Sequence, residues 1–232
     1  SNQVYKAFGK EQAEAFAQAM NTKVDIKFAS SVSCVHALMN GYCDIASSAR
    51  ALYRRHREYG FQQVPICRDP IAVIVSSKCK VDALTERQLQ DIFSGDIDNW
   101  KAVGGPDLPI TVIVPSKDSA AHKNFRRHVM KHKEIAHDFM SHDSTMAIAA
   151  VAYFPPGTVS FISKGAAAHD KRVKALRIDG KAPTELDYPY FQTFFLVVKI
   201  GPSEPVKQFI DFAFTPEAKV RIKKYGMLPI DR

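Results

Sequence analysis

LTERQLQDIFSGDIDNWKAVGGPDLPITVIVPSKDSAAHKNF, residues Leu84 to Phe125, runs from a helix through a loop and a strand into a second helix. Thr85 with Gln88 three residues later forms a capping box, which satisfies two backbone donors at a helix start. Leu89, Ile92 and Phe93 supply the apolar face, and Gly95 ends the helix. Beyond Trp100 and Gly104-Gly105, Ile110 to Val114 is an interior strand by its unbroken apolar character. Pro115 to Ser119 then turns the chain into a helix starting near Ser119 or Ala120. A strand, a polar turn and a helix N-terminus together form an anion cradle, because unpaired N–H groups and the helix dipole converge on one spot.

Working outward, the same alternation recurs. Val4 to Met20 is expected as a helix with Phe8, Ala15, Phe16, Ala19 and Met20 on one side. Val24 to Phe28 alternates as a strand, Ala29 to Ser33 is a polar turn, and Cys34 to Asn40 a helix closed by Gly41. Asp44 to Ser48 is a short strand that leaves through Ala49-Arg50. Gln63 to Val75 forms two strand-like runs joined at Arg68-Asp69-Pro70. Helix Ser144–Ala152, strand Thr158–Ser163, strand Lys174–Asp179 and the apolar strand Phe194–Lys199 follow. Ser203 is expected to cap a helix carrying Val206, Phe209, Ile210 and Ala213, and Thr215-Pro216 opens the last one, which Gly226 stops. This order predicts an open α/β sheet whose ligands bind beyond the strand ends.

Composition narrows the function. A length of 232 residues with 46% hydrophobic and 24% charged residues is ordinary for a globular protein. No apolar run reaches membrane-spanning length. A net charge of +8 favours an anionic ligand. The basic residues are scattered and not interleaved with aromatics in one stripe, so nucleic acid is not expected as a partner. Cys34, Cys43, Cys67 and Cys79 contain no C-x-x-C pair. Three disulfide connectivities remain open, although Cys67 and Cys79 flank an extended run too long for them to pair directly.

Several quoted segments resemble one family. Leu84 to Val114, with its "IF-G-I-NW" loop, is similar to the opening of the second lobe in the solute-binding proteins of phosphate-type ABC transporters. Asp44 to Leu52 resembles their "D-I-G-x-S-S-R-P-L", and Ser30 to Cys34 stands where they carry a small-residue loop, with hydroxyls in place of glycines. Arg68 to Val75 and Ser144 to Phe161 are similar to further family segments. The resemblance implies the α/β, two-lobe periplasmic binding protein type II fold with two hinge crossings. Residues 1–80 plus 190–232 would form lobe 1, and 81–189 lobe 2. The family's first ligand loop falls on Ser1-Asn2-Gln3, which implies that the strand normally preceding it is missing from this chain.

The expected ligand set is Gln3, Ser31, Ser33, Ser48, Arg50, Lys117 and Ser119, polar residues at turns that can present several donors to an oxyanion. The fourth turn departs from the family: Pro115 stands where phosphate binders carry an arginine, and Ala121 where they carry a threonine. Lys117 restores a charge but not a planar fork, so the ligand is expected to be an anion, either phosphate or a related oxyanion. No catalytic residue, cofactor or metal is expected. G-x-S-x-G, Walker and H-E-x-x-H motifs are absent. Cys34 at a helix start near His36 does not make a nucleophilic pair, since residues two apart do not face each other. A helix from Ala121 to Met140 would set His128 and His132 on one face, but a solvated basic helix accounts for them without a metal. The resemblance implies a monomeric periplasmic or extracellular receptor serving an ABC permease; the alternative is a ligand-sensing module of the same fold acting on a signalling partner.

Overall fold

The structure, a computed structural model, describes residues 3–117, 119–154, 156–167 and 170–232. Helix α1 (Gln3–Ala19) buries Phe8, Gln12, Ala13 and Phe16, while Met20 is exposed. The buried stripe steps by about four residues along α1, and Ala19 and Met20, which continue it, are exposed because the helix ends there. Val24 to Phe28 forms no strand, and Ile26 and Phe28 are exposed. Alternation makes a segment competent to pair, but a strand also needs a neighbouring ladder for its N–H and C=O groups. Helix α2 (Ser31–Met39) starts three residues earlier than expected, because Ser30 and not a later residue is the N-cap and accepts from the Ser33 amide. Cys34 therefore sits inside the helix.

Strand β1 (Ala46–Ser48) and the short α3 (Arg54–Glu58) lead into β2 (Phe61–Ser76), a single strand of 16 residues where two runs were expected. Pro70 is tolerated because β2 changes partner there: Cys67 and Arg68 face β10 (Leu228–Pro229), whereas Ile71 onward faces β6 (Thr158–Ser163). The missing N–H of Pro70 falls between the two ladders.

The chain forms two compact units, one from residues 1–69 and 192–232 and the other from Pro70–Phe191. In the first unit β9 (Phe191–Lys199) lies between β1 and β2, with β10 also paired to β2. Its core packs Phe8, Ile66, Phe194, Leu196 and Val198 against α8 (Glu204–Phe212) and α9 (Pro216–Lys224) through Val206, Ile210 and Ile222. Thr215 caps α9 through Ala218 N, whereas Ser203 holds the N-cap position of α8 without a side-chain bond. Asp69, fully buried, accepts from Gln192 Nε2 at 2.6 Å and ties β2 to β9 where the chain leaves and re-enters this unit.

The second unit carries β3 (Ala83–Leu84), α4 (Glu86–Ser94), a 3-10 turn at Trp100–Val103, β4 (Thr111–Pro115), α5 (Ala120–His128), β5 (Phe139–Ser141) and α6 (Ser144–Tyr153). After β6 come α7 (Lys164–Ala167), β7 (Val173–Ala175) and β8 (Arg177–Ile178). Strand order here is β2-β6-β4-β5, with β7 on β2 and a separate parallel pair of β3 and β8. The strand expected over 174–179 is thus divided between two sheets, because Leu176, fully buried, donates to Val73 O and turns the chain from one to the other. Leu89, Ile92, Phe93, Trp100 and Phe125 fill the core, with Phe125 stacked on Phe161 at 3.8 Å.

The capping box of α4 is complete: Gln88 N donates to Thr85 Oγ1 at 3.1 Å and Thr85 N to Gln88 Oε1 at 2.9 Å. Thr85→Ala is expected to lower the unfolding free energy by about 1 kcal/mol, measurable in urea titrations as a lower midpoint at unchanged slope.

Candidate functional site

In the first unit three chain segments meet at one end. The Ala49 amide, just beyond β1, donates to Ser31 Oγ at 3.2 Å and binds the exit of β1 to the first turn of α2. Ser47 Oγ donates to the Tyr5 hydroxyl at 2.6 Å, which sets the first turn of α1 beside β1. Tyr5 in turn lies flat on Phe194, with centroids 3.7 Å apart. Burial drives the Tyr5 phenol well above its ordinary range, so it stays protonated and remains a donor. The N-terminal turns of α1 and α2, whose first amides have no intrahelical acceptors, therefore come together with the polar exit of β1.

Of the expected residues, Ser31 and Ser48 are both placed there. Ser48 is buried, accepts from the Arg50 amide at 3.0 Å and donates to Arg50 O at 2.9 Å, so its hydroxyl holds the turn in shape. The Arg50 side chain is exposed. Ser33 is exposed and its hydroxyl pairs with Ser30 Oγ at 2.8 Å. Gln3 opens α1 and its side chain lies outside what is described, as do Ser1 and Asn2 altogether.

In the second unit, Lys117 is exposed and Ser119 is the N-cap of α5, accepting from His122 N at 3.0 Å. Ser119 N donates to Ser116 O at 2.8 Å, closing the turn after β4. The amides of Ala120 and Ala121 have no acceptor within the helix by the geometry of a helix start. Pro115 is the last residue of β4 and is buried.

Tyr5, Ser47 and Ser30 were not among the expected residues. Ser47 belongs to the same Ser47-Ser48 pair that resembles the family pattern, and Ser30 precedes Ser33 by the three-residue step of a cap, so both had a signal. Tyr5 had none, since its role depends on contact with a residue 42 positions away.

The helix expected over 121–140 is shorter. α5 ends at His128, and Lys131 and His132 both take positive φ, at 49° and 70°, to reverse the chain. His128 and His132 are consequently not on one helical face. Among the described residues, no group of three His, Cys, Asp or Glu side chains is placed to hold a metal. All four cysteines are free, Cys67 and Cys79 buried, with Cys67 Sγ 3.7 Å from Met227 Sδ.

Two buried histidines set a pH dependence. Burial depresses the pKa of His56, reinforced by Arg55 and His36, and likewise that of His122, reinforced by His137, Lys117 and Arg126 and opposed by Glu134. Unfolded, each titrates near 6.5, so below that pH the unfolded chain binds protons that the folded chain refuses. Stability is therefore full above 6.5 and is lost as pH falls toward the folded values. Melting temperature in scanning calorimetry is expected to decline steadily from about pH 7 to about pH 5, and a flat profile would contradict this.

The chain is 26% identical over 227 residues to the "Phosphate-binding protein PstS" of Borreliella burgdorferi, covering 90% of this chain and 81% of that protein. Among solved structures it is similar to a Clostridium perfringens substrate-binding protein crystallised with bound phosphate, with a TM-score of 0.79 and 26% identity over 100% of this chain and 98% of that one. It is also similar to an ABC-type phosphate transport receptor from Vibrio cholerae, with a TM-score of 0.78 and 26% identity over 98% and 97% of the two chains. These likenesses bear out the expected mixed α/β fold of the type II periplasmic binding proteins. The family model described as the PBP superfamily domain matches residues 1–217, and this protein belongs to that family.

Proposed function

We propose that this chain is an extracytoplasmic solute-binding protein that captures phosphate, or a closely related oxyanion, and delivers it to an ABC transporter. The observation that carries this is the convergence in the first unit of two helix N-termini and the exit of β1, joined by the bonds of Ala49 to Ser31 and of Ser47 to Tyr5. A desolvated oxyanion needs many oriented donors, and helix-start amides with serine hydroxyls provide them together with a favourable dipole. The second unit adds a third such helix start at Ser119 and the ammonium of Lys117. No bond is made or broken in this function.

Support also comes from the relatives, one of them solved with phosphate bound. Among the described residues no helix is long and apolar enough to cross a membrane.

Because Pro115 stands where the family resemblance implies a fork-shaped cation, selectivity rests on amides, hydroxyls and the point charge of Lys117. Isothermal titration with orthophosphate, sulfate and small carboxylates tests the proposal. Saturable binding of orthophosphate at one site per chain is expected. Tight binding of a neutral solute alone, with no heat from any oxyanion, would refute it.

A further inference from the structure

A second cationic site lies on the flank of α5. A cavity of about 340 Å³ is bounded on one side by Lys123, Arg126 and Arg127 of the helix and on the other by the returning segment at His132 to Ile135. The chain reversal through Lys131 and His132 creates it: His132 N donates to Arg126 O at 2.9 Å, and Glu134 is thereby laid against Arg126. Lys117 reaches its rim, but Ser119 does not line it, so the cavity follows the side of α5 and not its N-terminus.

Among the described residues, the cations Lys117, Arg126 and Arg127 line the cavity with one carboxylate, Glu134, and Lys123, which has interactions of its own, borders it. Arg126 meets Glu134 Oε1 at 3.0 Å and His132 O at 3.5 Å through Nη2 alone, so Nε and Nη1 keep their donors open among the described residues. Lys117 and Arg127 form no ion pair among those residues. A second, independent feature points to a ligand. His122 lines the cavity, is only 6% exposed, and its Nε2 is buried without a hydrogen-bond partner among the described residues. A buried polar atom left unpaired is costly, and a ligand oxygen at the cavity wall would satisfy it.

We propose that this cavity binds a compact polyphosphate anion of the pyrophosphate or tripolyphosphate class, beside the proposed oxyanion site at the helix starts, with which it shares Lys117 at its rim. Its volume lies at the low end of the roughly 300–1,000 Å³ typical of small-molecule sites, which suits a chain of two or three phosphate groups better than a single one. Guanidinium groups match phosphate oxygens two at a time, and the two arginines with Lys117 at the rim present more positive charge than one orthophosphate balances. Protonated at Nε2, His122 donates to the innermost oxygen. A bound anion favours that protonation against burial and the repulsion of His137, Lys117 and Arg126, so binding takes up a proton.

The test is calorimetric titration of the whole chain with tripolyphosphate, pyrophosphate and citrate, in excess orthophosphate so that any orthophosphate site is already filled. One equivalent of tripolyphosphate is expected to bind, at least tenfold more weakly in R126A/R127A and in the exposed charge reversal R127E. Imidazole ¹⁵N signals of His122 in the unsubstituted protein should shift during the titration. The proposal is overturned by absence of binding in excess orthophosphate, by affinity unchanged in both variants, by imidazole signals that stay still, or by citrate binding as tightly as tripolyphosphate. None of these outcomes depends on whether the protein also binds orthophosphate.

Discussion

Trp100→Ala is expected to lower the unfolding free energy by about 4 kcal/mol and the melting temperature by about 10 °C, the largest stability loss of any single truncation considered. Trp100 is fully buried, in the same cluster as Phe93 and Phe125, and its Nε1 donates to Gly157 O at 2.9 Å. Truncation therefore leaves a large cavity and removes one of the two donors to Gly157 O, the other being Thr111 N at 3.1 Å. The surroundings cannot collapse to fill the space. A Cβ on Gly157 would come within 2.1 Å of Pro109 O, so the loop holding the carbonyl already touches the strand entry. Trp100→Phe should recover most of the packing but not the hydrogen bond. A truncated variant that melted within a degree or two of the parent would show that this loop does not anchor the second unit.

Ser119→Asp is expected to weaken orthophosphate binding at least about 100-fold, or about 2.8 kcal/mol, while leaving stability unchanged or slightly raised. Aspartate is as good an N-cap as serine, and a negative charge at the start of α5 is favoured by the helix dipole. The fold thus keeps the bond to His122 N that Ser119 Oγ now accepts. At the proposed site an incoming oxyanion would, however, meet a like charge in place of a hydroxyl beside two helix-start amides. Opposite signs for stability and affinity separate a ligand role from a structural one, which Ser119→Ala could not do because it removes cap and hydroxyl together. Unchanged affinity in Ser119→Asp, measured by titration calorimetry beside a urea melt, would remove α5 from the binding site.

Local chemistry was legible wherever a few neighbouring residues decide the outcome. The capping box at Thr85 and Gln88, the stop at Gly95 and the caps at Ser119 and Thr215 were all readable, because each bond spans three residues. Boundaries that depend on distant partners were not. Val24 to Phe28 has the alternation of a strand but no ladder, and β2 runs through Pro70 only because its partners change there. The reversal after His128 places two non-glycine residues at positive φ, a choice stabilised by the Arg126 and Glu134 pair across it. The same limit applies to the site. Ser31, Ser48 and Ser119 were visible as turn serines after strands, whereas Tyr5 emerged only from its stacking on Phe194 and its bond to Ser47.

Helix-start amides are the anion's proposed ligands, and amide-resolved NMR during an orthophosphate titration tests that directly. The amide signals of Ser31 and Val32 in the first unit, and those of Ala120 and Ala121 in the second, are each predicted to move along a saturation curve, with those of α9 unmoved. Saturable phosphate binding that leaves these four signals in place, or no binding at all, would contradict it.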